Sequence, residues 1–144
     1  MKREPTDCSA TLEEPPAADR GPEAARARRD ALSPAERERV ERTVSDLFEL
    51  LGRAHAMAVL KEFAFADGPL RFSELEERLG TPPNTLTERL KELTGAGLLT
   101  RRAYDEVPPR VEYETTAEAR ALFPAFGHFY RWAEDHSLEP GTER

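Results

Sequence analysis

Residues 71–115 constrain the fold of this chain most strongly, because the spacing of their apolar residues changes from helical to strand-like. A stripe of leucines predicts a helix that Thr81 caps and that Gly95 and Gly97 end. The stripe consists of Leu86, Leu90 and Leu93. This helix is therefore expected to bury one face and to expose the other.

A shorter helix is predicted just before it. Ser73 and Glu76 have the spacing of a capping box, in which the serine accepts a bond from the third amide and the glutamate reaches back. Leu75 and Leu79 face inward, and Gly80 ends the helix. Two helices joined by such a short turn are typical of a helix-turn-helix.

The residues that follow predict a β-hairpin. Residues 98–104 and 110–115 are rich in β-branched and aromatic residues, and the second run alternates between apolar and charged positions. Residues 105–109, which end in two prolines, form a stiff tip between the strands. This order predicts a mainly α fold with a small β-hairpin wing, the winged helix-turn-helix, which lays one helix in the DNA major groove.

Polar side chains mark the exposed face of the leucine-striped helix. Asn84, Glu88 and Lys91 point away from the stripe at about 100° per residue, and Thr85 and Thr87 flank them. Asparagine pairs bidentately with adenine, and glutamate accepts a hydrogen bond from the cytosine amino group. We therefore predict contacts with double-stranded DNA, to the bases from Asn84, Thr85, Thr87 and Glu88 and to the backbone from Lys91. The alternative is an ordinary solvated helix face.

Arginines concentrate at the predicted wing, in a chain otherwise rich in glutamate. Arg101 and Arg102 lie in its first strand, and Arg110 opens the second. A basic wing commonly grips phosphate or a narrow minor groove, so these residues are candidates for DNA backbone contacts. The alternative is that they pair with neighbouring glutamates, and at least one of the three is expected to do so.

Helices on either side of this segment are predicted to form a homodimer. Ser33 and Pro34 begin an amphipathic helix, and a second helix covers about 54–66. Thr116 caps a C-terminal helix, in which Pro124 introduces a kink or a later start. The apolar face is larger than one small domain covers, which suggests a partner surface. The predicted dimer residues are Val44, Leu47, Phe48, Phe126, Phe129, Tyr130 and Trp132. The competing interpretation assigns these aromatic residues to the core of one chain.

The chain is predicted to divide into three segments. Residues 1–32 mix prolines with charges of both signs and lack apolar periodicity, so we expect a disordered tail. Residues 33–138 form the winged helix-turn-helix domain with its dimerisation helices, and residues 139–144 form a disordered end. Within the tail, Arg26, Arg28 and Arg29 are expected to be solvated rather than bound to phosphate, and Cys8 is expected to be inert.

The composition excludes several classes of protein. The single cysteine excludes a disulfide framework, and no apolar run is long enough for a membrane span or a signal peptide. His55, His128 and His136 lack the spacing of metal ligands, and no nucleophile, phosphate-loop or dinucleotide motif occurs. We therefore expect a cytoplasmic protein that is not an enzyme and that has no cofactor, metal or membrane partner.

The formal net charge of −7 argues against a general attraction to DNA. The placement of the charged residues matters more than the net charge, however, because only the surface that faces DNA must be positive. A winged helix used for protein–protein contact, without DNA binding, is therefore the alternative function. The acidic, lysine-poor surface would also suit a salt-rich cytoplasm, where screening weakens repulsion between carboxylates.

The motifs RFSEL, LTERLKEL and VPPRVEY, in this order and spacing, resemble the HxlR family of winged-helix transcriptional regulators. The resemblance extends over residues 46–132. It implies a homodimer that binds pseudo-palindromic promoter DNA as repressor or activator. It also implies that the helix from Pro82 is the recognition helix and that Arg110 belongs to the DNA-gripping wing. The motifs do not identify a small-molecule effector.

Some positions depart from the family pattern. Family members usually carry a Lys-Trp pair where Ala54 and His55 stand, and many carry a cysteine where Arg42 stands, so a thiol switch of that design is not expected. His55 is interpreted as a core or boundary residue, with a pH-sensitive or ligand-facing role as the alternative. A basic residue and a glutamine are usual where Asn84 and Glu88 stand, so the DNA sequence preference should be particular to this chain.

Overall fold

The structure, a computed structural model, describes residues 21–139. Its helices are α1 Pro22–Asp30, α2 Pro34–Leu51, α3 Ala56–Ala64, α4 Phe72–Leu79, α5 Pro83–Gly95, α6 Ala117–Leu122 and α7 Pro124–Asp135. Its strands are β1 Leu70–Arg71, β2 Leu99–Tyr104 and β3 Arg110–Thr115. The chain divides into two compact units, Met1–Glu41 and Arg42–Arg144. Of the predicted tails, residues 1–20, with Cys8, and residues 140–144 lie outside the described range.

The first unit contains a helix that apolar periodicity does not reveal. α1 lies within residues 1–32, for which we expected no regular structure, so that expectation is wrong for this helix. Pro22 occupies the first turn, and the helix is otherwise rich in Ala and Arg, which have high helix propensity. None of its residues is buried, which explains why no apolar pattern marks it. The domain limits at 33 and 138 stay a prediction.

Ser33 caps the start of α2, and the cap is reciprocal with Glu36. The Ser33 N–H donates to Glu36 Oε2 at 2.9 Å, and the Glu36 N–H donates to Ser33 Oγ at 3.3 Å. The bond from the Ser33 amide lowers the pKa of Glu36, because it stabilises the charged carboxylate. Because Pro34 has no N–H, three amides at this helix start lack an intrahelical partner, and the cap satisfies two of them.

The core of the second unit is built around α5. Leu86, Leu90 and Leu93 are each 0% exposed, which confirms the predicted stripe. They belong to one cluster with residues from α3, α4, the sheet and the C-terminal helices: Val59, Leu60, Phe63, Leu70, Leu75, Leu99, Tyr113, Ala119, Phe123 and Phe126. Burial of this stripe fixes the rotation of α5 about its own axis.

The three strands form an antiparallel sheet in the order β1-β3-β2. The hairpin strands β2 and β3 confirm the prediction, with residue 98 omitted from the first. β1 pairs Leu70 with Tyr113 and Arg71 with Glu112. The sequence does not predict β1, because two residues are too few to show alternation. α4, α5 and the hairpin follow one another in the order of a winged helix-turn-helix.

The predicted caps of α4 and α5 are both wrong. α4 begins at Phe72, so Ser73 lies inside the helix, and Glu74 rather than Glu76 reaches back, accepting from the Arg71 N–H at 3.2 Å. α5 begins at Pro83 with Pro82 as its N-cap. Pro82 and Pro83 have no N–H, so two of the four positions at this helix start have no amide to satisfy. Thr81 precedes the cap and is buried.

The C-terminal segment forms two helices rather than one. Thr116 caps α6 as predicted, since the Ala119 N–H donates to Thr116 Oγ1 at 3.3 Å. The chain then turns at Phe123, and α7 starts at Pro124, whose missing N–H favours a helix start over a helix interior. No helix within residues 21–139 is long and apolar enough to cross a membrane.

Replacing Leu90 with Ala should lower the free energy of unfolding by about 2–5 kcal/mol, because it removes buried atoms and leaves a cavity in the cluster around α5. Urea unfolding of both proteins measures this difference. The neighbouring exposed Lys91→Ala is the control and should change stability by less than about 0.5 kcal/mol. Equal effects of the two substitutions would contradict the placement of α5.

Candidate nucleic-acid interface

The polar face of α5 is open to solvent. Asn84, Thr87, Glu88 and Lys91 are exposed, and Thr85 is half-buried at the margin. Thr87 Oγ1 donates to the Pro83 carbonyl at 2.9 Å within the same helix. The structure therefore brings the residues predicted for base contacts together on the face opposite the buried leucines. Whether they touch bases stays a prediction.

Arg89 holds α5 in position from the side. Its side chain is only 16% exposed, its Nε donates to the Ala54 carbonyl at 2.9 Å, and its Nη1 donates to Glu92 Oε2 at 2.6 Å. Glu92 also accepts from Arg53 Nη1 at 3.2 Å. Because Arg53 and Ala54 lie between α2 and α3, these bonds tie α5 to that turn. Arg89 therefore contacts a local carboxylate.

His55 lies at the same junction. Its Nδ1 is 3.4 Å from the hydroxyl of Thr81, the buried residue just before α5. A side chain that bridges two helix starts fits the interpretation of His55 as a boundary residue. Within residues 21–139, no group of three or more His, Cys, Asp or Glu side chains has the geometry to hold a metal ion.

The sheet separates the three wing arginines instead of clustering them. Arg101 lies opposite Tyr113 and Arg102 lies opposite Glu112. Because successive side chains of a strand point to opposite faces, Arg101 shares its face with the buried Tyr113, whereas Arg102 and Arg110 share the face of Glu112. The predicted cluster is therefore two groups on two faces of the hairpin.

Arg110 is engaged by side chains of its own hairpin. Its Nη2 lies 3.4 Å from Glu106 Oε1, its Nε lies 3.4 Å from Glu112 Oε1, and its Cζ lies 4.1 Å from the centre of the Tyr104 ring. These contacts match the alternative in which a wing arginine pairs with neighbouring glutamates. Arg110 contributes first to holding the shape of the hairpin.

Arg102 and Arg101 differ in their partners. Arg102 Nη2 lies 3.8 Å from Glu114 Oε2, and a side-chain hydrogen bond with Tyr104 is the main cause that raises the pKa of Arg102. Arg101 is exposed, and among the described residues it has no carboxylate partner. Lys91 is also exposed and has no carboxylate partner among the described residues. Arg101 and Lys91 are therefore immediately available to an external anion.

An open groove of about 660 Å³ runs between the helices and the hairpin. Its lining combines residues of β1, α4, α5, both hairpin strands and the hairpin tip: Arg71, Phe72, Ser73, Thr87, Arg101, Glu106, Pro108, Pro109, Arg110, Val111 and Tyr113. Three of these side chains are cationic and one is anionic, which gives the groove a formal charge of +2. The lining residues therefore carry more positive than negative charge, and Glu112, outside the lining, lies within 4 Å of Arg71 and Arg110. Arg71 was missed from the sequence, because its position depends on β1.

Exposed apolar residues also lie on α2 and on α7. Of the predicted dimer residues, Val44, Phe48, Phe129, Tyr130 and Trp132 are between 37% and 68% exposed, and Leu47 is half-buried. Phe126 is only 4% exposed, so it belongs to the core of the single chain. The assignment of Phe126 to the dimer interface is therefore wrong. Phe65 was not predicted here, yet it is exposed and its ring lies 4.8 Å from that of Tyr130.

The helix pair α4–α5 with the hairpin β2–β3 defines a winged helix-turn-helix protein. The sequence matches the model of the HxlR-like helix-turn-helix family over residues 50–140, and the chain belongs to this family. Its resemblance to HxlR-type regulators is thereby confirmed.

Individual relatives agree with this assignment. An uncharacterised HTH-type transcriptional regulator of Halalkalibacterium halodurans is 39% identical over 84 residues, which cover 58% of this chain and 74% of the relative. A regulator of the same description from Mycobacterium tuberculosis is 35% identical over 98 residues, 68% of this chain and 61% of that protein. The reduced form of the transcriptional regulator YodB from B. subtilis matches with a TM-score of 0.57 and 32% identity, covering 69% of this chain and 96% of that chain.

Proposed function

We propose that this protein is a sequence-specific, DNA-binding transcriptional regulator that acts as a homodimer on promoter DNA. The observation that carries the proposal is the exposed polar face of α5 beside a groove of formal charge +2, in a chain whose net charge is −7. Family membership and the regulators among its relatives support the same function. No enzymatic activity is proposed.

In this proposal α5 enters the major groove and the hairpin follows the adjacent backbone. Asn84, Thr87 and Glu88 reach base edges, with Thr85 at the margin, because their side chains lie on the solvent face of the helix. Lys91, Arg101 and Arg102 supply phosphate attraction. Arg110 adds to it only by exchanging a carboxylate of its own hairpin for a phosphate.

The homodimer is proposed from the apolar surface on α2 and α7. Phe48 is 68% exposed and Phe129 is 54% exposed, although both are large apolar side chains. Tyr130 packs edge-on against Phe65, so the apolar surface extends from α7 to the end of α3. Burial of such a surface against a second copy removes apolar area from water and places two α5 helices in one complex.

The direct test of the proposed function is a gel-shift experiment with fragments of the source genome, followed by sequencing of the bound fragments. We expect bound fragments to share two half-sites about one helical turn apart, or a multiple of it, as a two-fold dimer requires. Intact dimers that shift no fragment at any salt concentration would contradict DNA binding and would favour a protein–protein interaction module.

Replacing Asn84 with Ala should relax the preference at particular base pairs, because a bidentate contact with a base discriminates by about 1–3 kcal/mol. The measurement is binding to a set of duplexes with single base-pair changes in the recovered site. Lys91→Ala is the matched control on the same helix and should weaken binding to all duplexes equally. An unaltered base preference in the Asn84 variant would remove this residue from base recognition.

Replacing Phe48 with Glu should convert the dimer to a monomer, because a carboxylate in an apolar interface has no compensating partner. Sedimentation velocity measures the change, and an unfolding curve like that of the unchanged protein shows that the fold persists. Val107→Glu, at the fully exposed hairpin tip, is the control and should leave the dimer intact. A monomeric unchanged protein, or a fully dimeric Phe48 variant, would contradict the proposed interface.

A further inference from the structure

Arg71 occupies the junction between the sheet and the helix-turn-helix. It is the second residue of β1, it lies opposite Glu112 of β3, and it precedes the first residue of α4. Its side chain is 50% exposed and borders the groove beside α5. This position brings a cation to the start of α4, at the end of the groove where β1 pairs with β3.

Glu112 restrains Arg71 at one edge of its guanidinium. Glu112 Oε1 lies 3.9 Å from Arg71 Nε and 3.4 Å from Arg110 Nε, so one oxygen lies beside both arginines. The Glu112 side chain is only 19% exposed, whereas the Arg71 side chain is 50% exposed, so the outer part of Arg71 is open to water. The Nη1 and Nη2 edge of Arg71 has no partner among the described residues. That free edge is the one that binds phosphate oxygens in forked contacts.

The groove presents further groups of the same chemistry. Arg101 enters its lining from β2 and Ser73 from α4, whereas the Thr87 hydroxyl, also in the lining, donates to the Pro83 carbonyl. Guanidinium and hydroxyl groups are the side chains that proteins use to bind the sugar–phosphate backbone. Thr87 also lies on the helix face proposed to enter the major groove, so a DNA strand beside that face would run along this groove.

We propose that the groove binds one phosphodiester strand of the DNA, that Arg71 and Arg101 are its two phosphate ligands, and that Glu112 is a positioning residue for Arg71. The inference rests on the proposed function and adds the path of the backbone and the cation at the start of α4. It assigns the main phosphate contact to Arg71 and Arg101 rather than to Arg110.

The test measures binding to a mixed-sequence DNA duplex by fluorescence anisotropy over a range of salt concentrations. Phosphate contacts act on every sequence, so the test needs no known operator. Arg71→Ala and Arg101→Ala should each weaken binding about tenfold at low salt and reduce the salt slope by roughly one unit. Arg78→Ala is the matched control, since Arg78 is an exposed arginine of α4 that does not border the groove.

A second variant separates a phosphate contact from simple neutralisation of Glu112. If Arg71 served only to cancel the charge of Glu112, then Arg71→Ala combined with Glu112→Gln would bind with the salt slope of Glu112→Gln alone. We expect the double variant to keep a slope lower by roughly one unit. Arg71→Lys should retain the slope and lose part of the affinity, because lysine keeps the charge without the fork.

The outcomes distinguish this inference from the proposed function. If the original protein binds DNA and the Arg71→Ala variant shows the same salt slope, the inference is overturned and the proposed function is not. A loss of slope in Arg78→Ala as large as in Arg71→Ala would also overturn it, because net charge would then explain both. Absence of DNA binding by the unchanged protein would overturn the proposed function together with the inference.

Discussion

The burial of one leucine face on α5 is the constraint on which the rest of the structure depends. Leu86, Leu90 and Leu93 have no exposed surface, so α5 has a single rotational setting in the second unit. That setting turns Asn84 and Glu88 outward without any interaction of their own. The packing of the core therefore sets the orientation of the polar face proposed to contact bases. A change in the core would rotate that face even if every polar residue were kept.

The parts of the fold that follow from periodicity could be predicted, and those that depend on partners could not. The leucine stripe and the two hairpin strands each repeat over several residues, which makes their pattern detectable. α1 has no buried residue and β1 has two residues, so neither leaves a pattern. The candidate site divides in the same way, since the face of α5 follows from spacing whereas Arg71 enters the groove only through its pairing with β3. Strand pairing likewise places Arg101 and Arg110 on opposite faces of the sheet, although the sequence shows them only as part of one group of arginines.

The wing shows how an acidic chain can still present a positive surface. Glu106, Glu112 and Glu114 lie within 4 Å of arginines on one face of the sheet. On that face the charges largely cancel. The ion pairs also stiffen the hairpin, and dissolved salt weakens only those pairs that are exposed to solvent. Arg101, on the other face, keeps its charge available. The count of arginines at the wing therefore overstates the number of phosphates it can neutralise.

The bonds of Arg89 have a consequence for the geometry of a dimer. Because Arg89 and Glu92 tie α5 to Arg53 and Ala54, just after the end of α2, neither helix can turn against the other without breaking charge-assisted hydrogen bonds. In a dimer joined through α2 and α7, the distance between the two α5 helices would thus be set inside each chain. The spacing of an operator would then depend on hydrogen bonds made inside each chain.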